Sequence, residues 1–376
     1  MDSLRKIFNN KTVLLTGHTG FKGSWLSLWL HSLGAKVVGL SIDVPSTPSN
    51  FVASNVNEFV EDNRVDIRNA DEVNKIVLAC QPDFVFHLAA QALVRPSYES
   101  PLDTISTNAM GTACVLDALR ILDKPVVAVM ITSDKAYDNV EWVWGYRETD
   151  RLGGRDPYSA SKGMAELVIH TYVESFFNTP DSNVRVGIVR AGNVIGGGDW
   201  ASDRIVSDSM LAWSCGQIVD IRSPDATRPW QHVLEPLSGY LSLAAELSEH
   251  HEKHGQAYNF GPPANQNYTV RALIDEMTKY WDNVRWNDVS QQGKHLHEAG
   301  LLKLNCDKAL VDLDWLPTLQ FEDTVRMTVE WYKEYYQLIG SKELAFERDI
   351  SMSAFTLSQI EEYTKLGQDN DRSWAK

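Results

Sequence analysis

The stretch "KTVLLTGHTGFKGSWLSLWLHSLGAKVVGLSID", residues 11–43, constrains the fold more than any other part of the chain. Its first segment, "KTVLLTG", reads as a buried strand from its Val and Leu content. "KGSWLSLWLHSLGA" then places Trp25, Leu26, Trp29, Leu30 and Leu33 at helical intervals. "KVVGLSID" is a second strand. A strand, a helix and a strand in succession form the unit from which parallel sheets are built. The alternation continues, with strands predicted at "PDFVFHLAA", "KPVVAVMITS" and "VRVGIVRAGN". Helices are predicted at "NADEVNKIVLACQ", "ISTNAMGTACVLDALRIL" and "SASKGMAELVIHTYVESFF". The succession predicts an α/β fold: a doubly wound parallel sheet of Rossmann type, helices on both faces, over residues 1–190.

Beyond Arg190 the rhythm breaks. "QAYNFGP" reads as one more strand, so a segment at 230–262 is expected to return to the main sheet. Residues 191–229 and 263–345 are assigned to a smaller α/β substrate-binding lobe, and 346–376 to a closing helix and a loose tail.

Composition narrows the class of partner. Of 376 residues, 43% are hydrophobic and 23% charged, as in soluble enzymes. The net charge of -15 disfavours nucleic acid and anionic membrane surfaces, although a local Arg cluster can still hold an anionic ligand. The four cysteines, Cys80, Cys114, Cys215 and Cys306, show no metal-site spacing and are expected to be reduced thiols. No apolar run is long enough to span a bilayer and none reads as a signal peptide, so a cytoplasmic protein is expected.

"TGHTGFKG" sets Gly17, Gly20 and Gly23 between the first strand and the first helix. Glycine there permits a tight turn and close approach of the backbone to a pyrophosphate, with the helix N-terminus facing its charge. The strand before and the helix and strand after are the context that gives this pattern weight. Asp43 ends the second strand, where an acid accepts hydrogen bonds from the adenosine ribose and repels a 2′-phosphate. NAD is therefore the expected cofactor, with Lys22 in the loop softening that discrimination and a solvated turn residue as the alternative reading of Asp43. "VDIR" places Asp66 and Ile67 to contact the adenine. Phe21 and Ala89 complete the expected cofactor contacts.

"YSASK" gives Tyr158 and Lys162, four residues apart on one helix face. A free phenol has a pKa of about 10, too high for a base at neutral pH, and a nearby ammonium favours its ionised form. Lys162 also reaches the nicotinamide ribose. The hydroxyl partner on the substrate oxygen is Thr132 or Ser133. Those two open "TSDKAY", where Asp134 and Lys135 follow, although adjacent residues on an extended strand point to opposite faces unless the chain turns.

Taken together, "TGHTGFKG", "HLAAQ", "TSDKAY" and "YSASK" resemble the extended short-chain dehydrogenase/reductase family. "GHTGFKGSWL", "SDKAY" and "RAGNVIGGGDW" are more specifically similar to its CDP-glucose 4,6-dehydratases. The resemblance implies conversion of CDP-glucose, or a related nucleotide sugar, to the 4-keto-6-deoxy product for bacterial surface polysaccharides such as O antigen and lipopolysaccharide. It implies oxidation at C4 by bound NAD, loss of water across C5 and C6, and return of hydride to C6. Asp134 is then the acid and Lys135 the base, at a position where related dehydratases carry Glu. Asn193 is implied to touch the diphosphate. Arg204 and Arg228 are candidates for the same anion, with surface ion pairs as the competing reading. Trp200 is one of several aromatics that the base can stack on. A homodimer or homotetramer is implied.

Alternatives on the same fold are another nucleotide-sugar 4,6-dehydratase, a 4-epimerase or a non-enzymatic NAD-binding protein. An epimerase needs only the Tyr, Lys and hydroxyl, so the Asp134–Lys135 pair argues against it. No metal site is expected: "HHEKH" at 250–254 lacks the Glu that a zinc-protease signature requires, and His295 and His297 have no partner acid nearby.

Overall fold

The computed structural model of the chain describes residues 2–291, 301–340 and 351–376. His295, His297 and the expected boundary at 345/346 lie outside the described residues.

Seven strands form one parallel sheet: β1 (Thr12–Thr16), β2 (Lys36–Ser41), β3 (Glu61–Arg64), β4 (Phe84–His87), β5 (Val126–Ile131), β6 (Val184–Ala191) and β7 (Ala257–Phe260). Their order across the sheet is β7-β6-β5-β4-β1-β2-β3. The direction of winding reverses between β1 and β4, which opens a crevice at the carboxyl ends of the strands. Side chains alternate between two apolar layers. Val127, Val129 and Ile131 join one cluster and Val126, Ala128 and Met130 the other. Helices α1 (Phe21–Ser32) and α5 (Leu234–Glu249) cover the first face. Helices α2 (Ala70–Cys80), α3 (Gly111–Leu119) and α4 (Pro157–Tyr172) cover the second. Burial on both faces explains why these strands read as continuous apolar runs. β3, "EDNR", escapes that reading because it is an edge strand with mostly exposed polar side chains.

The smaller lobe is built from α6 (Val270–Met277), α7 (Phe321–Gly340) and short strand pairs, among them Thr227–Arg228 with Tyr268–Thr269. Its apolar residues Leu273, Ile274, Trp315 and Trp331 belong to the same cluster as α1 and α5, so lobe and sheet share one core.

The last segment is not a loose tail. Helix α8 (Met352–Asp369) and the turn at Ser373–Ala375 lie on α1. Tyr363 and Trp374 stack at 4.9 Å, and both meet Trp29 edge-on. α1 has no polar face, and a helix apolar all round must be buried on every side. The 351–376 segment supplies that cover.

Glu235, at the start of α5, ties these parts together. Its Oε1 accepts from the Thr318 and Leu319 N–H groups at 2.9 and 2.6 Å, and its Oε2 from the Tyr363 hydroxyl at 2.9 Å. Burial pushes this carboxyl up to about 7, against the pull of those donors. The folded chain therefore holds a proton over a pH window in which the unfolded chain, near 4.5, has released it. The stabilisation is complete at acid pH and is lost as pH rises through that window. Glu235→Gln removes the titration, so from pH 5 to 8 the variant should gain about 3 kcal/mol relative to wild type in denaturant unfolding. Parallel stability–pH curves would show that the carboxyl ionises freely in the fold.

Candidate active site

The loop from β1 into α1 is fixed by its neighbours. Gly17 has φ +77°, and a Cβ there would sit 2.7 Å from the Ala89 nitrogen, so only glycine fits. Gly20 is the N-cap of α1 and contributes no side-chain cap, which leaves the first-turn amides from Phe21 to Gly23 for a ligand. His18 is wholly buried, its Nε2 2.8 Å from Asp62 and its Nδ1 3.0 Å from Ser41, and so fastens the loop to β2 and β3. Thr19 donates to the Asp43 carbonyl at 2.6 Å, which holds the exposed Asp43 beside the loop. Both Asp66 oxygens accept from Arg68, which holds that carboxyl below its ordinary range, and the adjacent Ile67 is buried. Ala89 donates its N–H to Thr16 at 3.1 Å. A side-chain-free cradle at Gly17, uncapped helix amides and an acid beyond β2 fit the pyrophosphate and ribose of a dinucleotide.

β5 delivers the second half of the site. The strand ends at Ile131, and Asp134–Ala136 then form a single 3₁₀ turn capped by Ser133, whose hydroxyl accepts from the Lys135 N–H at 3.2 Å. This turn resolves the problem of adjacent residues pointing apart. The Ser133 hydroxyl donates to Asp134 at 2.9 Å and is hydrogen-bonded to the Tyr158 phenol. Asp134 fits only because residue 192 is glycine: a Cβ there would lie 1.9 Å from its carboxylate. Lys135 is half-buried, and its ammonium makes no hydrogen bond or ion pair among the described residues.

α4 starts at Pro157 with Asp156 as its cap, accepting from the Ser159 N–H at 2.9 Å. This register turns Tyr158, Lys162 and Glu166 inward, all buried. Burial pushes the Tyr158 phenol up to about 12, where the Tyr–Lys pairing predicts the opposite direction. The Ser133 hydrogen bond and the charge of Arg204 pull it down but do not outweigh desolvation. Lys162 is itself held down to about 8, by burial and by the ammonium of Lys22.

Behind the site runs a buried polar chain. Arg190, on β6, makes a two-pronged pair with Glu166, with Nε–Oε1 at 2.7 Å and Nη2–Oε2 at 2.5 Å. Thr132 donates to the same carboxylate at 2.6 Å and to the Val189 carbonyl at 3.2 Å. The Thr132 hydroxyl is thereby turned away from Tyr158, which corrects its expected place as a hydroxyl partner and leaves Ser133 in that position. Arg190 also donates to the Tyr137 hydroxyl at 2.6 Å, and Tyr137 donates to Asn259 on β7 at 2.9 Å.

The lobe closes the crevice. Asn193, with φ +52°, lines a recess together with Asp134, Gly192, Gln231 and Lys303. Arg204 pairs with Asp199, and its charge reaches Tyr158 and Lys22, so it lies at the junction of loop and α4. Arg228 donates to its neighbour Thr227's carbonyl at 2.8 Å. Trp200 is boxed in by Trp331, Tyr332 and Tyr335 and donates to Tyr336 at 3.1 Å, so it packs inside the lobe and is not free to stack on a base. His254, in the rejected zinc pattern, accepts from the Val186 N–H at 2.9 Å.

With this geometry in hand, similarity to other proteins is decisive. The GDP-mannose 4,6 dehydratase family profile matches residues 14–328. The chain belongs to that family. Among this family's curated relatives, the CDP-glucose 4,6-dehydratase of Salmonella typhimurium is 45% identical over 94% of this chain and 99% of its own length. The dTDP-glucose 4,6-dehydratase of the same organism is 24% identical over 88% and 94%. Among solved structures, the UDP-glucose 4-epimerase of Thermotoga maritima shares the fold with a TM-score of 0.72, at 21% identity over 86% of this chain and 99% of the other. The dTDP-glucose 4,6-dehydratase of Bacillus anthracis does so with a TM-score of 0.70, at 18% identity over 87% and 99%. The expected Rossmann-type sheet and the resemblance to extended short-chain dehydrogenases are both borne out.

Sequence reading passed over His18, His87, Glu166, Arg190 and Gly192. Glu166 was within reach of it, one helical turn beyond Lys162 on the same face. Arg190 gave no signal, since an Arg at the end of an apolar strand reads as exposed. Removing one partner of a buried pair strands the other charge, so Glu166→Ala should lower unfolding stability by about 3–5 kcal/mol, with much of it restored when Arg190→Met is added. A single-variant loss below about 1 kcal/mol would show that the pair is not what fixes α4 to β6.

Proposed function

We propose that the chain catalyses NAD-dependent dehydration of CDP-glucose to CDP-4-keto-6-deoxyglucose. The observation that carries this reading is the Ser133–Asp134–Lys135 turn set against Tyr158, in a chain 45% identical to a CDP-glucose 4,6-dehydratase. An epimerase has no task for the Asp134–Lys135 pair.

NAD held by Gly17, Gly20, Phe21, Gly23, Asp43, Asp66, Ile67, Ala89, Tyr158 and Lys162 supplies the hydride acceptor for C4 and the hydride donor for C6. Ser133 and Tyr158 hold the C4 hydroxyl between them, and Tyr158 takes its proton. The high position of that phenol means that positive charge must arrive beside it; Arg204 and Lys162 are placed to supply part of it. The C4 ketone acidifies the C5 proton, which Lys135 removes. Asp134 protonates the C6 hydroxyl, and water leaves. The Tyr158–Ser133–Asp134 hydrogen bonds form an unbroken path between the oxidation base and the elimination acid. Asn193, Arg204 and Arg228 contact the diphosphate.

The product serves deoxysugar synthesis for surface polysaccharide, such as O antigen and lipopolysaccharide, in the cytoplasm. No described helix is long and apolar enough to cross a membrane. Leu102, Met110, Met164 and Leu167 are exposed on helices of one sheet face and support a homodimer or homotetramer.

Incubation with NAD and a panel of glucose nucleotides should give the alkali-absorbing keto sugar from CDP-glucose in preference to the others. Lys135→Ala should cut product formation by about 10³-fold while C4 oxidation survives as NADH absorbance in a single turnover. Near wild-type product formation by that variant would remove Lys135 from the mechanism.

A further inference from the structure

Gln231 stands in the short parallel pair of Gln231–His232 with Val194–Ile195, and its side chain is 2% exposed. Its Nε2 donates to the Gly192 carbonyl at 2.9 Å and to the Phe260 carbonyl at 3.1 Å. Both partners are acceptors, so only the amide nitrogen can face them, and the orientation of the side chain is fixed. Oε1 is thereby left buried, with no hydrogen-bond partner among the described residues. A buried carbonyl oxygen without a donor forfeits its hydration, and native structures rarely keep one.

The surroundings explain why the protein does not satisfy it. Gln231 lines the same recess as Asp134, and Pro229, Pro262 and Pro263 form part of the wall. Prolines have no N–H to offer. The donor must come from what fills the recess. Asp134 belongs to the reacting end of the site, so the part of a bound nucleotide sugar that enters here is the hexose, whose only donors are hydroxyl groups. Gly192 connects the two residues: its missing side chain admits Asp134, and its carbonyl anchors Gln231.

We propose that Gln231 Oε1 accepts a hydrogen bond from a hexose hydroxyl, which makes Gln231 a substrate-binding residue that seats the sugar ring beside Asp134. A hydroxyl that gives its proton to Gln231 keeps its lone pairs for other donors in the recess. This inference rests on the glucose-nucleotide reading of the site.

Binding of CDP and CDP-glucose to the full chain with NADH, which blocks turnover, tests it by calorimetry. Gln231→Leu should bind CDP like wild type and CDP-glucose at least tenfold more weakly. Among deoxyfluoro analogues of CDP-glucose, which cannot donate at the altered position, one should weaken wild-type binding by a similar factor and leave the variant no weaker. Gln231→Glu keeps the acceptor and should keep that analogue's penalty. Equal loss for CDP and CDP-glucose, or analogue penalties unchanged in Gln231→Leu, would overturn the proposal and leave an ordered water at Oε1. A wild-type chain that binds CDP-glucose no better than CDP overturns both readings. Hexose-dependent binding without dehydration overturns the proposed function alone.

Discussion

The buried pair between Glu166 and Arg190 is the interaction on which the site depends. It links α4 to β6, and through Thr132 it also grips the end of β5. These are the elements that carry Tyr158 and Lys162, Gly192 and Asn193, and the Ser133–Lys135 turn. A two-pronged ion pair between side chains 4% and 2% exposed tolerates little displacement, because any shift leaves a charge without its partner in a dry interior. The pair thus sets the geometry of two walls of the crevice at once. Tyr137 and Asn259 extend it to β7 and fix the far side of the turn.

The dinucleotide half of the crevice is held by different means. His87 sits between β1 and α3, its Nδ1 2.8 Å from Thr16 and its Nε2 3.0 Å from Thr112. Thr112 donates its own proton to the Asn108 carbonyl, so His87 must donate through Nε2 and accept at Nδ1. Burial, with Lys162 nearby, holds that imidazole down to about 3, so it stays neutral and its two bonds persist at any physiological pH. His18 plays the same role for the glycine loop, and burial lowers it too. Both histidines are structural pins.

Much of the fold was legible because the sheet is buried on both faces. Continuous apolar runs mark β1, β2, β4, β5, β6 and β7, and glycines and polar pairs fall at their carboxyl ends. β3 was missed for the converse reason, since an exposed edge strand carries no apolar signature. The role of the last 26 residues, 351–376, was missed although α1 announced it: twelve residues with no polar face require cover from outside the sheet. Within the site, side chains that act on a ligand carry motif signals and side chains that act on one another do not. Tyr158, Lys162 and Asp134 were therefore readable, whereas Gly192, Arg190 and the direction of the Thr132 hydroxyl depend on contacts between segments far apart in sequence. Trp200 shows the same limit. An aromatic in a glycine-rich loop reads as a stacking platform, and only the packing of α7 reveals it as lobe core.

A crystal structure of the chain with NADH and CDP-glucose tests the central claim most directly: that β5, α4 and Gly192 bring acid, base and phenol onto one sugar. The account predicts the C4 oxygen within about 2.6–3.2 Å of both the Tyr158 and Ser133 hydroxyls, with Asp134 directed at the C6 hydroxyl. A hexose seated beyond reach of Tyr158, or one that leaves Asp134 without contact to the sugar, would contradict it.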